Sequence, residues 1–303
     1  MGLGALEARK LLKSLRPSVV VGFGGYPSIP TVFAASLAKV PIVLHEQNAL
    51  LGRANRRLAS RAQAIATSFA KVKFMPAAAN TVLTGNPVRP GILAVRDAPY
   101  AEPTATGLFQ ILVTGGSQGA RIFSEIVPPA MALLPPELKA RLRIVQQCRP
   151  EDLETVTAEY QAAGIAAELS TFFNDVPARL SSCHLAITRS GASTVAELGV
   201  AGRPAILVPY PFAMDDHQTS NAEAYAQSGG AWVVGQRILT PKLLAERIAG
   251  LAAHPDSLSR AAEAARQEGR PAAADSFAEL VISQIGARVG QPAVSTSLKD
   301  IAV

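Results

Sequence analysis

The chain has 303 residues, 49% of them hydrophobic and 17% charged, with two cysteines and a formal net charge of +6. A chain this long and apolar can bury a large core in two domains, which excludes bulk disorder, and two cysteines exclude a disulfide framework. Charge is unevenly spread: residues 1–100 hold 13 Lys and Arg against Glu7, Glu46 and Asp97, whereas the remainder holds 16 against 20 acidic residues. A basic first part suggests an anionic partner, a membrane surface or a nucleic acid. The basic residues lack interleaved aromatics and any recognisable nucleic-acid module, so no nucleic-acid partner is expected. No secretory signal is visible ahead of the fold, and a reducing cytoplasm is the expected setting.

The elements alternate. Residues 3–15 (Leu3 to Leu15) read as an amphipathic helix, with Leu6, Arg9, Lys10 and Lys13 on one stripe and Ala5, Ala8, Leu12 and Leu15 on the other. The apolar stretch 19–44 is interrupted by Gly24-Gly25, Pro27, Pro30, Lys39 and Pro41, and so reads as strand, loop, helix and strand rather than a membrane span. Strands at 19–21, 41–44, 64–67 and 81–83 are followed by strands at 109–114, 142–146, 167–171, 184–188 and 205–208. Between them the pattern predicts helices at 119–133, 151–163, 175–181 and 192–201, then at 217–228, 241–253 and 256–286. This is an α/β chain with parallel sheets.

Residues 97–107, rich in Pro and Ala and without periodicity, are the expected linker. The expected domains are 1–104 and 105–286, with the last helix able to pack back on the first domain and 287–303 as a loose tail. The first strand already reads as an interior strand feeding a functional loop. A doubly wound domain would need roughly 60 further residues ahead of it, so the N-terminal domain is expected to be incomplete.

Three glycine-punctuated loops stand where strands hand over to helices: Gly22-Phe-Gly-Gly-Tyr26, Gly115-Gly-Ser-Gln-Gly-Ala-Arg121 and Arg189-Ser-Gly-Ala-Ser-Thr194. Tight βα turns use glycine for conformational reasons, but amides freed at helix N-termini also bind anions, and three such loops point to a diphosphate ligand. In the second loop the helix is expected to open over Ser117 to Arg121.

Five motifs in chain order, His45-Glu-Gln-Asn48, Gly85-Asn-Pro-Val-Arg89, the Gly115–Arg121 loop, the third loop extended to Glu197 and Asp216-His-Gln-Thr-Ser-Asn-Ala222, resemble the MurG family over about residues 4–285. These are bacterial glycosyltransferases that move N-acetylglucosamine from UDP-GlcNAc onto undecaprenyl-pyrophosphoryl-MurNAc-pentapeptide (lipid I), making lipid II. The resemblance implies a GT-B fold, two Rossmann-like doubly wound domains facing a cleft, with the donor held mainly by the second. It also implies docking of the first domain on the cytoplasmic face of the cell membrane. The family's Gly-Gly-Thr-Gly-Gly-His loop has no match in this sequence, and the family's best-placed histidine belongs to that loop.

Residue by residue, the resemblance implies that Glu197 accepts the ribose hydroxyls and that Ser117 contacts the diphosphate. It implies that Ala192, Ser193, Thr194, Val195 and Ala196 line the nucleotide, and that Phe173 stands beside the uracil where the family usually has an aliphatic residue. Asn48 and Gln218 would contact the transferred sugar, amides suiting sugar hydroxyls because they donate and accept. Arg89 would neutralise a pyrophosphate leaving group. His45 is the nearby candidate for the general base, while Glu46 reads better as a loop brace, and His217 would help shape the donor pocket. No Asp-x-Asp motif appears, so no metal and no cofactor are expected; of the adjacent Asp215 and Asp216, capping explains one. The expected partners are UDP-GlcNAc, lipid I and an anionic membrane surface, the last through Arg9, Lys10 and Lys13 and the basic face Arg53, Arg56, Arg57 and Arg61. A non-catalytic UDP-sugar-binding or membrane-recruiting protein is the alternative function.

Overall fold

A computed structural model describes residues 2–116 and 119–286. Ser117 and the tail expectation for 287–303 lie outside the described residues. Two compact units divide the chain: the first runs to Gly85 and resumes at Ala272, and the second is Asn86–Pro271.

The first unit opens with α1 (Gly2–Leu15), followed by β1 (Val20–Gly22), α2 (Ser28–Leu37), β2 (Ile42–Glu46), α3 (Arg53–Leu58), β3 (Ala64–Thr67) and β4 (Thr81–Leu83). The four strands form a parallel sheet in the order β1-β2-β3-β4. Every residue of β2 and β3 is buried, as expected for inner strands of a parallel sheet covered on both faces. Val32, Ala35, Leu44, Leu51, Leu58 and Ile65 form its core, joined by Ala8 and Leu12 of α1. The opening helix thus buries only part of its apolar stripe. Leu6, Leu11 and Leu15 stay exposed beside Arg9, Lys10 and Lys13.

The second unit holds α4 (Pro90–Arg96), β5 (Phe109–Thr114), α5 (Arg121–Ala132), α6 (Pro136–Ala140), β6 (Leu142–Gln147), α7 (Leu153–Ala162), β7 (Ala166–Ser170) and α8 (Val176–Ser182). It continues through β8 (Leu185–Thr188), α9 (Ala192–Ala201), β9 (Ala205–Leu207), α10 (His217–Ala226), β10 (Ala231–Val233), α11 (Pro241–Ala253) and α12 (Pro255–Glu268). The six strands are parallel, in the order β10-β9-β8-β5-β6-β7. From β5 the chain winds outward to β7, then returns to β8 and winds the other way. Strand order therefore reverses between β5 and β8, where doubly wound sheets leave a crevice beyond the strand C-termini. Beneath it lies a core of Phe109, Ile111, Phe123, Ile144, Ile187 and Ile206.

Several expectations are corrected. Residues 86–104 belong with the second unit, not the first: α4 packs on α8 and α9, Pro103 is buried, and the Tyr100 hydroxyl donates to the His184 carbonyl at 2.9 Å. The single helix expected over 256–286 is two. Pro271 disfavours helical geometry at the residue before it, Gly269 is extended, and the chain restarts as α13 (Ala273–Gly286) within the first unit. The sequence pattern missed β10, whose three residues carry no periodicity. The helix of the second glycine loop starts at Arg121 rather than Ser117, because Ala120 is extended. Both cysteines are buried, and burial pushes the thiols up, to about 11 for Cys148 and about 12 for Cys183, so neither is an activated nucleophile.

Candidate active site

Two loops meet at the reversal point. After β5, a Cβ on Gly115 would stand 2.2 Å from the Ala120 nitrogen, so only glycine lets the chain fold back there; Gly116 follows with φ +88°. After β8 comes Arg189-Ser190-Gly191, with Gly191 extended at the N-cap of α9. The two strand ends are tied where the Thr114 and Thr188 hydroxyls lie 3.1 Å apart.

A cavity of about 240 Å³ opens on one side, lined by Arg89, Gly116, Phe173, Thr194 and Glu197 among others. A broader one of about 590 Å³ lies on the other, lined by Gly116, Arg149, Arg189, Thr194, Tyr210 and Gln218 among others. Gly116 and Thr194 line both, so the two form one trough across the reversal point.

Five of the sequence candidates meet at this trough: Arg89, Phe173, Thr194, Glu197 and Gln218. Phe173 is buried, its ring covered by the Arg179 guanidinium 4.0 Å from the centroid; Arg179 is held in turn by Glu168 and Asp175. Gln218 accepts the Tyr210 amide at 3.0 Å through Oε1, and its own carbonyl accepts the Ser190 hydroxyl at 2.8 Å. Among the described residues the amide nitrogen of Gln218 makes no hydrogen bond. Glu197 and Arg89 are already joined: Nε donates to Oε1 at 2.8 Å and Nη2 to Oε2 at 3.0 Å. The sequence assigned these two residues to different parts of a ligand and gave no hint that they pair.

Ala192, Ser193, Val195 and Ala196 do not line either cavity. The Val195 side chain is buried and its amide donates to the Gly191 carbonyl at 3.0 Å, closing the first turn of α9. His217 instead places Nδ1 2.9 Å from the Met214 carbonyl. Asp216, left-handed at the N-cap of α10, makes no side-chain bond to a helix amide but accepts the Thr219 hydroxyl at 2.7 Å.

His45 and Asn48 belong to the first unit. His45 is only 1% exposed, with Phe23 and Phe277 rings at 5.8 and 4.9 Å and Nε2 3.0 Å from the Gly85 carbonyl. Nδ1 is buried without a partner among the described residues, and burial holds the imidazole below its usual range. Proton abstraction by His45 would require its aromatic cover to move; as placed, it braces the chain at Gly85. Glu46 is the hub of the next loop. One carboxylate oxygen accepts the Asn48 amide and side chain at 3.1 and 3.2 Å; the other accepts the Gly52 amide and Asn55 Nδ2, both at 2.8 Å.

A doubly wound domain with a trough at its reversal point is a common setting for nucleotide ligands, and comparison with known proteins supplies the class. The glycosyltransferase family 28 N-terminal domain matches residues 2–67 and the corresponding C-terminal domain matches residues 110–287. A UDP-N-acetylglucosamine–N-acetylmuramyl-(pentapeptide) pyrophosphoryl-undecaprenol N-acetylglucosamine transferase of Paramagnetospirillum magneticum is 56% identical, over 94% of this chain and 77% of its own length. The protein of the same description from Rhodospirillum centenum is 52% identical, over 99% and 79%. The crystal structure of Acinetobacter baumannii MurG superposes with a TM-score of 0.76 at 32% identity, covering 91% of this chain and 76% of that one. The chain belongs to the MurG family, with the GT-B fold of that family.

Proposed function

We propose that this chain transfers N-acetylglucosamine from UDP-GlcNAc to undecaprenyl-pyrophosphoryl-MurNAc-pentapeptide, releasing UDP and forming lipid II. The observation that carries the reading is the trough itself, since a nucleoside, a diphosphate and a sugar need different partners, and its lining offers an aromatic ring, a carboxylate, glycine backbone, guanidinium groups and an amide. Uracil stacks at Phe173 and ribose reaches Glu197. The diphosphate crosses Gly116 and Thr194, and the sugar extends toward Gln218. Ribose must take the Glu197 carboxylate from Arg89. The released guanidinium then serves the leaving diphosphate, a planar fork suiting phosphate oxygens.

The reaction is a direct inverting displacement. The acceptor hydroxyl attacks the anomeric carbon, its proton passes to a general base, and the bond to the diphosphate oxygen breaks. Preorganised amides and guanidinium groups around the trough stabilise the charge that gathers on UDP. Asn48, fixed by Glu46 on a loop of the first unit, is a candidate for contact with a sugar hydroxyl.

No helix among the described residues is long and apolar enough to cross a membrane. Exposed Leu6, Leu11 and Leu15 next to Arg9, Lys10 and Lys13 suit peripheral docking on an anionic bilayer, at roughly 1 kcal/mol per basic residue. The test of function is lipid II formation from radiolabelled UDP-GlcNAc and a lipid I analogue, with UDP and GDP compared by calorimetry. Transfer with preference for UDP supports the reading; equal binding of UDP and GDP, with no transfer, would sink it.

A further inference from the structure

The wider half of the trough is lined by three arginines, and two of them are already neutralised. Arg121 is paired with Glu125 at 2.5 Å, and Arg149 with Asp152 at 2.7 Å and Glu151 at 2.9 Å. Arg89, in the narrower half, is committed to Glu197. Arg189 differs. It is only 9% exposed, and among the described residues no carboxylate pairs with it.

Its surroundings fix the group without discharging it. Nη1 donates to the Val208 and Pro209 carbonyls, each at 3.1 Å, and the guanidinium carbon lies 5.3 Å from the ring centroids of both Phe123 and Tyr210. Among the described residues Nε and Nη2 make no hydrogen bond, and Arg189 is one of the residues lining the trough. Arginine stays charged at neutral pH even when buried, so an uncompensated guanidinium here is costly unless a ligand brings the negative charge. Two rings and two carbonyls hold it in one orientation, so little side-chain freedom remains to be lost on binding.

We propose that Arg189 is a further cation of the donor site beside Arg89, pairing through its free N–H groups with the diphosphate of the bound nucleotide. The proposal rests on the donor reading above and adds a residue to it. The sequence pattern named Arg189 only as the start of a motif. Its role depends on a cavity wall and on the absence, among the described residues, of a carboxylate paired with it, neither of which the motif reveals.

The test compares UDP, uridine and inorganic pyrophosphate by calorimetry on the full chain, for the unaltered protein, Arg189→Met and Arg189→Lys. Met keeps an unbranched apolar stem against Phe123 and Tyr210 and removes the charge. UDP affinity is expected to fall about 10- to 100-fold in Arg189→Met, the scale of hydrogen bonds to a charged group, while uridine changes by less than about twofold. Pyrophosphate should compete with UDP in the unaltered protein and not in Arg189→Met. Should the Met variant fail to fold, Arg189→Lys carries the test: it keeps charge but loses the fork, and UDP should weaken about fivefold with uridine unaffected. An equal loss for UDP and uridine would mean that Arg189 merely supports the 208–209 carbonyls, and no loss for either would also overturn the proposal. Failure of the unaltered protein to bind UDP or uridine would remove the donor reading together with this inference.

Discussion

Arg89 and Glu197, 108 positions apart, form a two-pronged ion pair, with both guanidinium donors and both carboxylate oxygens engaged. The Arg89 side chain is 54% exposed and that of Glu197 15%, so solvent weakens the attraction and the pair contributes about 0 to 1 kcal/mol to stability. A ligand hydroxyl can compete with so weak a bond. Glu197→Ala should weaken UDP binding by about 1.5–3 kcal/mol, read by calorimetry. Arg89→Ala should leave the melting temperature nearly unchanged and tighten uridine about two- to fivefold, because it removes the competitor for the carboxylate. Weaker uridine binding in Arg89→Ala would show that the pair positions Glu197 rather than occupies it.

Glu46 holds the loop that carries Asn48 through four accepted hydrogen bonds. Glu46→Gln keeps the shape but turns an NH2 group toward donors, leaving at least one of them unsatisfied in a largely buried site. The expected cost is about 2–3 kcal/mol in urea unfolding. Because Asn48 is released as well, the KM for UDP-GlcNAc or the acceptor should rise. A variant with unaltered stability and kinetics would show that the loop is held by its other contacts.

Arg203 is 1% exposed and bonds only to carbonyls: Leu180 at 2.7 Å, Ala201 at 2.8 Å, Ser181 at 3.0 Å and Gly202 at 3.1 Å. It ties the C-terminal end of α8 to that of α9, the helix that presents Glu197. Lysine has three donors on one atom and cannot span these positions, so Arg203→Lys should cost about 2–4 kcal/mol of unfolding free energy. A loss below about 0.5 kcal/mol, the scale of ordinary surface changes, would contradict this role.

His45 and His184 are both held below the usual histidine range, chiefly by burial, and His184 Nδ1 accepts the Gln110 amide at 2.9 Å. The unfolded chain takes up protons near pH 6.5, whereas the folded chain resists until lower pH. Stability from these groups is therefore complete above about pH 6.5 and declines as pH falls through that value toward the lowered folded ones. Urea midpoints should drop between pH 7.5 and 5.5, and His184→Asn, which can still accept the Gln110 amide, should flatten the drop. Identical slopes for the two proteins would rule out His184 as a contributor.

Strand and helix periodicity in the sequence determined the alternating α/β pattern, and the glycine loops marked where β5 and β8 hand over to α5 and α9. Glycine spacing is legible because it answers local demands of backbone geometry at the turn. The break at Gly269 to Pro271 was equally local, yet the helical pattern on either side of it masked the change of unit. Motif order identified Phe173, Thr194, Glu197, Arg89 and Gln218, and the fold assembles them around one trough. Tertiary structure alone decided their state. Burial is a property of packing, so His45 and Val195 look like their exposed neighbours in the sequence and differ only once Phe277 or the body of α9 covers them. Pairing is a property of distance in space: it joins Arg89 to Glu197, Arg149 to Asp152 and Arg121 to Glu125, and leaves Arg189 with two carbonyls, two aromatic rings and, among the described residues, no carboxylate.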